Sequence, residues 1–337
     1  MAEPRTVVIT GASRGLGFAS VVRLYRDGWR VVAAMRTPDR GLPLLREAIQ
    51  DTTGARADDD RLIGVQLDLL DDASISSAAK AIEESVGTPF ALVHNAGISS
   101  AGMVEETDIA LWNNMFATSI LGPVALTQAL LPSMRAAGEG RIVLVSSAAG
   151  VRGQPATAPY SAAKGALERW GESMAVEIAP FGLGVTILVA GMYDTDIITD
   201  AGTTDDRDFG GPYARLHNTM NTRGRFAMRL ARPPERFTDG LVNALADQGP
   251  FRRRGVGADA SMLLAFNRLL PSPGMHQMSR IVLGIPKQGS MRDGAWPLTT
   301  AQKAMVFAAK VLPPRVLQGL ASLAMRIKPA SAESKEE

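Results

Sequence analysis

The sequence predicts an α/β chain: a doubly wound parallel sheet with helices on both faces, followed by a helical C-terminal extension. Three observations predict it. Short β-branched runs alternate with helix-period segments from Thr6 to Val256, the pattern of strands buried on both faces and joined by helical crossovers. The first run is followed at once by a glycine-rich turn that opens a helix. The residues richest in chemistry, Arg36 and Ser147 among them, fall at the C-terminal ends of strands, where open sheets of this class bind ligands.

Thr6-Val7-Val8-Ile9-Thr10 is the first strand, an apolar β-branched run. Gly11-Ala12-Ser13-Arg14-Gly15-Leu16-Gly17 comes next, then a helix to Arg26 closed by Gly28. Strand, glycine turn and helix are the opening of a dinucleotide-binding fold. Gly11 permits the tight turn, while Gly15 and Gly17 let backbone amides and the helix N-terminus approach a pyrophosphate. The second strand runs over residues 30–36 and ends in Met35-Arg36, where an NAD site usually carries an acid for the ribose 2′-hydroxyl. Two guanidinium groups, Arg36 and Arg14, suit a 2′-phosphate, so NADP(H) is expected over NAD(H). Asp39 lies too far along to replace the missing acid.

Residues 39–61 read as a short helix and an acidic crossover around Asp58-Asp59-Asp60. Residues 62–68 form the third strand, which brings Asp68 and the Leu69 amide to where an adenine edge can be read. Asp71 caps a helix to about Val86. Residues 90–94 are the fourth strand, ending in Asn95-Ala96-Gly97: Asn95 can tie the central strands together, and Gly97 allows close approach of a cofactor. His94 reads as a packed residue. A long helix spans about Asp108 to Ala136, perturbed by Pro123 and Pro132. The fifth strand covers residues 141–147, a Gly/Pro-rich loop leads to a helix ending at Pro180, the sixth strand covers 184–189, and residues 251–256 are the last strand. Another helix starts at Arg232-Pro233-Pro234-Glu235, with Pro near the first turn.

The helix after the fifth strand carries Tyr160 and Lys164, one turn apart on one face. A phenol loses its proton near pH 10. A neighbouring ammonium favours the phenolate, so Tyr160 is expected to serve as an acid or base near neutral pH. The spacing alone is a weak signal, because surface helices often carry such a pair. Ser147, thirteen residues earlier at a strand's end, can hydrogen-bond a substrate oxygen that Tyr160 protonates.

Composition narrows the class. Of 337 residues, 46% are hydrophobic and 21% charged, which fits a soluble globular chain with a full core. The absence of cysteine excludes disulfides and thiol catalysis. With three histidines and no His-x-x-x-His, no metal site is expected. The N-terminus lacks the apolar run of a signal peptide, and no apolar stretch is expected to reach the length of a bilayer span. A cytoplasmic location is the expectation, with membrane association left open by charge: residues 1–199 carry a net −6, residues 200–337 a net +8. A basic C-terminal third suits anionic lipid or phosphate, or is ordinary solvated arginine. A nucleic-acid partner is not expected.

Thr10-Gly11-x-x-x-Gly15-x-Gly17, Asn95-Ala96-Gly97, Ser147 and Tyr160-x-x-x-Lys164, in this order and over roughly residues 5–256, resemble the short-chain dehydrogenase/reductase superfamily. The resemblance implies a Rossmann-type, seven-stranded sheet and hydride exchange between a nicotinamide and an alcohol or carbonyl. It implies Tyr160 as general acid/base, Lys164 as the residue that holds the nicotinamide ribose and lowers the Tyr160 pKa, and Ser147 as the residue that orients the substrate oxygen. Cofactor contacts are implied for Gly11, Ser13, Arg14, Gly15, Leu16, Gly17, Arg36, Asp68, Leu69, Asn95, Ala96, Gly97, Tyr160, Lys164, Gly191 and Thr195.

Two departures stand out. Ser119 occupies the place of a usual Asn in the proton relay through Lys164, and Ala190-Gly191 replaces a usual Pro-Gly. A weakened or rerouted relay is expected from Ser119. The departure also permits an alternative, a non-catalytic NADP-binding sensor or scaffold. Residues 196–230 resemble the superfamily's lid over a small-molecule substrate, and members often form homodimers through the two long central helices. Residues 1–256 are thus expected as the main domain and 257–337 as a helical extension ending in a disordered tail from Ser331. Leu269-Leu270-Pro271 is similar to an element of retinol- and hydroxysteroid-type members, which implies a bulky lipophilic substrate of steroid, retinoid or long-chain type. Three readings of the extension stay open: extra helices on the core, a wall of a lipophilic mouth, or a docking element for a membrane or partner.

Overall fold

The structure is a computed structural model and describes residues 4–195, 203–292 and 296–297. In chain order, β1 (Thr6–Thr10), α1 (Gly15–Arg26), β2 (Arg30–Met35), α2 (Pro38–Thr53), β3 (Leu62–Gln66), α3 (Asp72–Val86) and β4 (Ala91–His94) build the first half. A short β5 (Ser99–Ala101) leads to α4 (Ile109–Phe116) and α5 (Gly122–Ala137), joined by a π-helical turn, Ala117–Leu121. Then follow β6 (Gly140–Ser147), α6 (Ala148–Val151), α7 (Ala158–Ile178), β7 (Leu183–Ala190), β8 (Thr203–Asp205), α8 (Ala214–Met228), α9 (Glu235–Leu245), β9 (Phe251–Val256), α10 (Ala258–Leu269) and α11 (Ser272–Leu283).

Seven strands form one sheet in the order β3-β2-β1-β4-β6-β7-β9, and every pairing is parallel. The order steps outward from β1 to β3, then returns across β1 to β4, which opens a crevice at the strands' C-terminal ends. Register brings those ends level: Thr10 lies beside Ala34, and Ser147 beside Ala190. Apolar layers cover both faces. One contains Leu24, Leu45, Ile49, Phe237 and Leu241, the other Ile82, Leu126, Leu130, Met134 and Leu167.

Several local findings differ from the sequence expectation. The crossover after β2 holds a 16-residue helix, not a short one. Gly41, Leu45 and Ile49 repeat every four residues and seat it on the sheet, and this burial outweighs the loss of one helical bond at Pro43. From Ile109 to Ala137 the chain is one continuous helical run, and it is long and apolar enough to cross a bilayer by length and composition, contrary to the sequence reading. Its inner face is instead fixed to the sheet: Leu126, Leu130 and Met134 are fully buried, each worth about 1.5–3 kcal/mol over exposure. A second, two-stranded parallel sheet pairs β5 with β8, a contact between residues about a hundred apart that no local pattern announces.

The residues divide into two compact units, Met1–Gly284 and Ile285–Glu337. Helices α10 and α11 belong to the first. The apolar segments expected from Met305 to Met325 and the tail from Ser331 lie outside the described residues, as do residues 196–202 of the expected lid.

Candidate active site

The β1–α1 turn has the shape that its glycines allow. Gly11 (φ 66°) and Gly15 (φ 56°) both take left-handed backbone. A Cβ on Gly17 would stand 2.2 Å from the Gly11 carbonyl oxygen and 2.5 Å from Asn95 Nδ2, so only glycine lets α1 start this close to β1 and β4. No side-chain cap from Arg14 closes the N-terminus of α1, and that end carries partial positive charge. Asn95 stitches the crevice: its Nδ2 donates to the carbonyls of Thr10 (3.0 Å) and Gly11 (3.2 Å), while the amides of Asn95 and Ala96 both donate to Thr10 Oγ1 at 3.1 Å.

Arg14 and Arg36 line the same cavity on the β2 side, and Asp39 is not among the lining residues. Asp68 and Leu69 line it from the end of β3. The Asp68 carboxylate accepts the Leu70 amide at 3.0 Å, and its own amide donates to Ser74 Oγ at 2.9 Å. These bonds hold the turn rigid.

Ser147 ends β6 and starts α6, its Oγ accepting the Ala149 amide at 3.3 Å. The Tyr160 hydroxyl shares a hydrogen bond with Ser147. Lys164, on the same face of α7, is buried, and its Nζ donates to the Val145 carbonyl at 2.8 Å. Sequence reasoning expects the ammonium to make the phenol more acidic. The structure corrects this: burial raises the Tyr160 pKa above its usual value, and the Ser147 hydrogen bond only partly offsets the rise. The physical reason is placement, since Lys164 Nζ lies 5.9 Å from the Tyr160 ring centre and is drawn to a backbone carbonyl. Burial also lowers Lys164 to about 8, against the pull of Glu168, which favours the ammonium. Glu168 lies one turn further along α7 and is itself buried. It accepts from Ser146 Oγ at 2.7 Å and pairs with Arg253 on β9.

Ser119 stands apart. It sits in the π-helical turn, 2% exposed, with its Oγ 4.0 Å from Met115 Sδ. Asn114 and Thr118 line the cavity; Ser119 does not. The rotation of the helix through the π turn sets the serine behind the wall that its neighbours form. His94 is a buried core residue whose Nε2 meets Thr127 Oγ1 at 2.7 Å, and burial lowers it to about 3.

The cavity measures about 770 Å³. Gly11, Ser13, Arg14, Gly15, Leu16, Arg36, Asp68, Leu69, the Asn95-Ala96-Gly97 run, Ser147, Tyr160, Lys164, Gly191 and Thr195 all line it; Gly17 and Ser119 do not. Gly17 acts from beneath by close packing. Gly191 has a reason of its own: a Cβ there would stand 2.2 Å from the Asp259 carboxylate, which accepts the Met192 amide at 2.7 Å. Asp259 reaches the site from α10, beyond the last strand of the sheet.

The opposite wall is the segment from β8 through α8. His217 is fully buried and its Nε2 bonds the Glu106 carboxylate at 2.8 and 2.9 Å. Burial alone would push the Glu106 carboxyl up, but His217 and the amides of Met103 and Asp208 outweigh it and hold it below the carboxylate range. Arg207 joins Asp205 to Asn221, its Nε donating to Asp205 at 2.6 Å. Asp205, Arg207, His217 and Asn221, with Met220, Met228 and Leu283, line the cavity, while Glu106 supports His217 from behind it. The lid expected over residues 196–230 contains all of these lining residues but Leu283, though sequence reasoning singled out no side chain in it. A Met- and Arg-rich helix after the sixth strand is their only local signal.

Comparison with known proteins matches this arrangement. The short chain dehydrogenase family matches residues 5–206. Retinol dehydrogenase 8 of Bos taurus is 35% identical over 293 residues, covering 81% of this chain and 88% of that protein. An uncharacterized oxidoreductase of Bacillus subtilis (strain 168), YusZ, is 29% identical over 275 residues, covering 79% of this chain and 94% of that protein. Among solved structures, a short-chain dehydrogenase from Streptomyces avermitilis superposes with a TM-score of 0.69 at 28% identity, covering 85% of this chain and all of that one.

Proposed function

The chain belongs to the short chain dehydrogenase family and is an oxidoreductase of that fold, and from that premise we propose that it moves hydride between NADP(H) and the alcohol or carbonyl carbon of a bulky apolar substrate. One observation carries the reading: the hydrogen-bonded pair of Ser147 and Tyr160 opens into the same cavity as the glycine turn.

The residues present fit a dinucleotide. Gly11 and Gly15 leave a cradle that side chains would fill, and the N-terminus of α1 faces it. Arg14 and Arg36 supply two cations on the β2 side, where a 2′-phosphate is better served than a hydroxyl. Bound there, the nicotinamide supplies or accepts the hydride.

The rest is done by this chain's own groups. The Ser147 hydroxyl fixes the substrate oxygen. The Tyr160 hydroxyl, kept protonated by burial, gives that oxygen its proton in reduction and takes it back in oxidation. Lys164, whose ammonium sits at the Val145 carbonyl and lines the same cavity, is placed to hold the nicotinamide ribose. Val145 and Glu168 fix the ammonium's position and charge. Met192, Met220, Met228 and Leu283 lend the cavity lining apolar character, which supports a lipophilic substrate.

The test is a turnover assay with NADPH and NADH against ketones and aldehydes of graded size, including steroid, retinoid and long-chain carbonyls. The reading expects NADPH oxidation with the large apolar carbonyls. NADPH binding without turnover on any carbonyl would point instead to a sensor or scaffold.

A further inference from the structure

The outer side of the cavity's lid is apolar and cationic. In α8, Gly224, Arg225, Ala227 and Met228 line the cavity, while Phe226, and Leu230 in the turn just past the helix, are 66% and 74% exposed. In α11 the same division recurs over three residues: Leu283 lines the cavity, and Ile281 and Val282 are 61% and 62% exposed. The two helices are fastened at this point, because Arg223 Nη1 donates to the Ile281 carbonyl at 2.7 Å and also reaches the Val282 carbonyl. Four large apolar side chains thus stand at the rim of the cavity.

The two helices themselves carry charge of one sign, and the acids packed against α8, Glu106 and Asp205, are paired with His217 and Arg207. Between Ala214 and Met228, and again between Ser272 and Leu283, there is no Asp or Glu. Arg223, Arg225, Arg229 and Arg280 lie on or directly beside these helices. The nearby acid on α10, Asp259, is turned onto the Met192 amide at the cavity floor. An exposed apolar group on helices whose own charges are all basic is complementary to one surface above others, an anionic bilayer: the apolar side chains enter the acyl boundary and guanidinium groups beside them meet headgroup phosphates.

We infer that the α8–α11 rim docks on anionic phospholipid membrane through Phe226, Leu230, Ile281 and Val282, so that the cavity opens toward the bilayer and takes its apolar substrate from it. This rests on the apolar-substrate reading above, and it gives that reading a route, since such a substrate is concentrated in lipid.

The experiment uses the full chain. Flotation with vesicles of phosphatidylcholine alone, and of phosphatidylcholine with phosphatidylserine, is measured at low and high salt. Binding to the anionic vesicles, weakened by salt, is expected, with little binding to neutral ones. The variant F226S/L230S/I281S/V282S should bind anionic vesicles on the order of tenfold more weakly or worse, and retain its thermal midpoint and its turnover of a water-soluble carbonyl. No vesicle binding by the parent chain, or equal binding by the variant, overturns the proposal. If light scattering instead shows a dimer that the variant loses, without vesicle binding, the rim is an interface between copies and the proposal is equally overturned. Because vesicle binding is read without turnover, its failure is distinguishable from failure of the catalytic reading.

Discussion

Glu168 follows Lys164 by one turn of α7, and its carboxylate is fixed from two other strands, by Ser146 at 2.7 Å on β6 and by Arg253 on β9. A buried ammonium is therefore accompanied by a buried carboxylate that cannot swing away, in a chain whose Ser119 does not reach the cavity.

This pairing sets a pH dependence. Burial lowers Lys164 to about 8 while Glu168 pulls the other way, and burial raises Tyr160. As pH rises through about 8, Lys164 loses its charge first, with Tyr160 still protonated, so carbonyl reduction should fall on an alkaline limb near that pH. Glu168→Gln removes the charge that favours the ammonium, so the limb should move to lower pH. Profiles of kcat/KM against pH for the two proteins check this; a limb that stays put or moves up would separate Glu168 from Lys164.

Cofactor choice tests the β2 end. Replacing Arg36 with Asp puts a carboxylate where a 2′-phosphate is expected and a ribose hydroxyl can be bound. The ratio of kcat/KM for NADPH over NADH should drop by at least about tenfold, the scale of one lost charge-assisted contact. An unchanged ratio would reject the 2′-phosphate assignment while leaving the hydride chemistry standing.

Two glycines should respond in opposite directions to alanine. At Gly17 the new Cβ meets the Gly11 carbonyl oxygen at 2.2 Å, so α1 must retreat, and both the thermal midpoint and NADPH affinity should fall. At Gly165 the nearest atom is the Gly150 carbonyl oxygen at 3.6 Å, ordinary contact in mid-helix, and the substitution should stabilise by about 0.5–1 kcal/mol. Thermal melts and NADPH titrations of both variants decide it. A Gly17→Ala protein with unaltered affinity would show that the close approach of α1 is not required.

The division between legible and illegible residues follows from distance along the chain. The strands, the glycine turn, Asn95, Ser147 and the Tyr160–Lys164 pair lie in local patterns, and parallel pairing brings strand ends to one edge with no further information. The wall opposite them reads from sequence only as a lid over residues 196–230, and its side chains stay hidden because their contacts are long-range: His217 meets Glu106 across 111 residues, and Asp259 reaches Met192 across 67. Direction was hidden as well as position. Spacing puts Lys164 on the Tyr160 face, yet the Val145 carbonyl takes its ammonium. Ser119 aligns with a relay position in sequence, but the π-helical turn sets it behind Thr118.

The most direct test of the central claim is Tyr160→Phe followed through a single turnover of NADPH with an accepted carbonyl. The phenyl ring keeps the packing of α7 and removes only the hydroxyl that meets Ser147. The account predicts hydride transfer slower by about a hundredfold or more, with NADPH affinity retained. Turnover at the parent rate would contradict it, because the proton would then come from a group other than Tyr160.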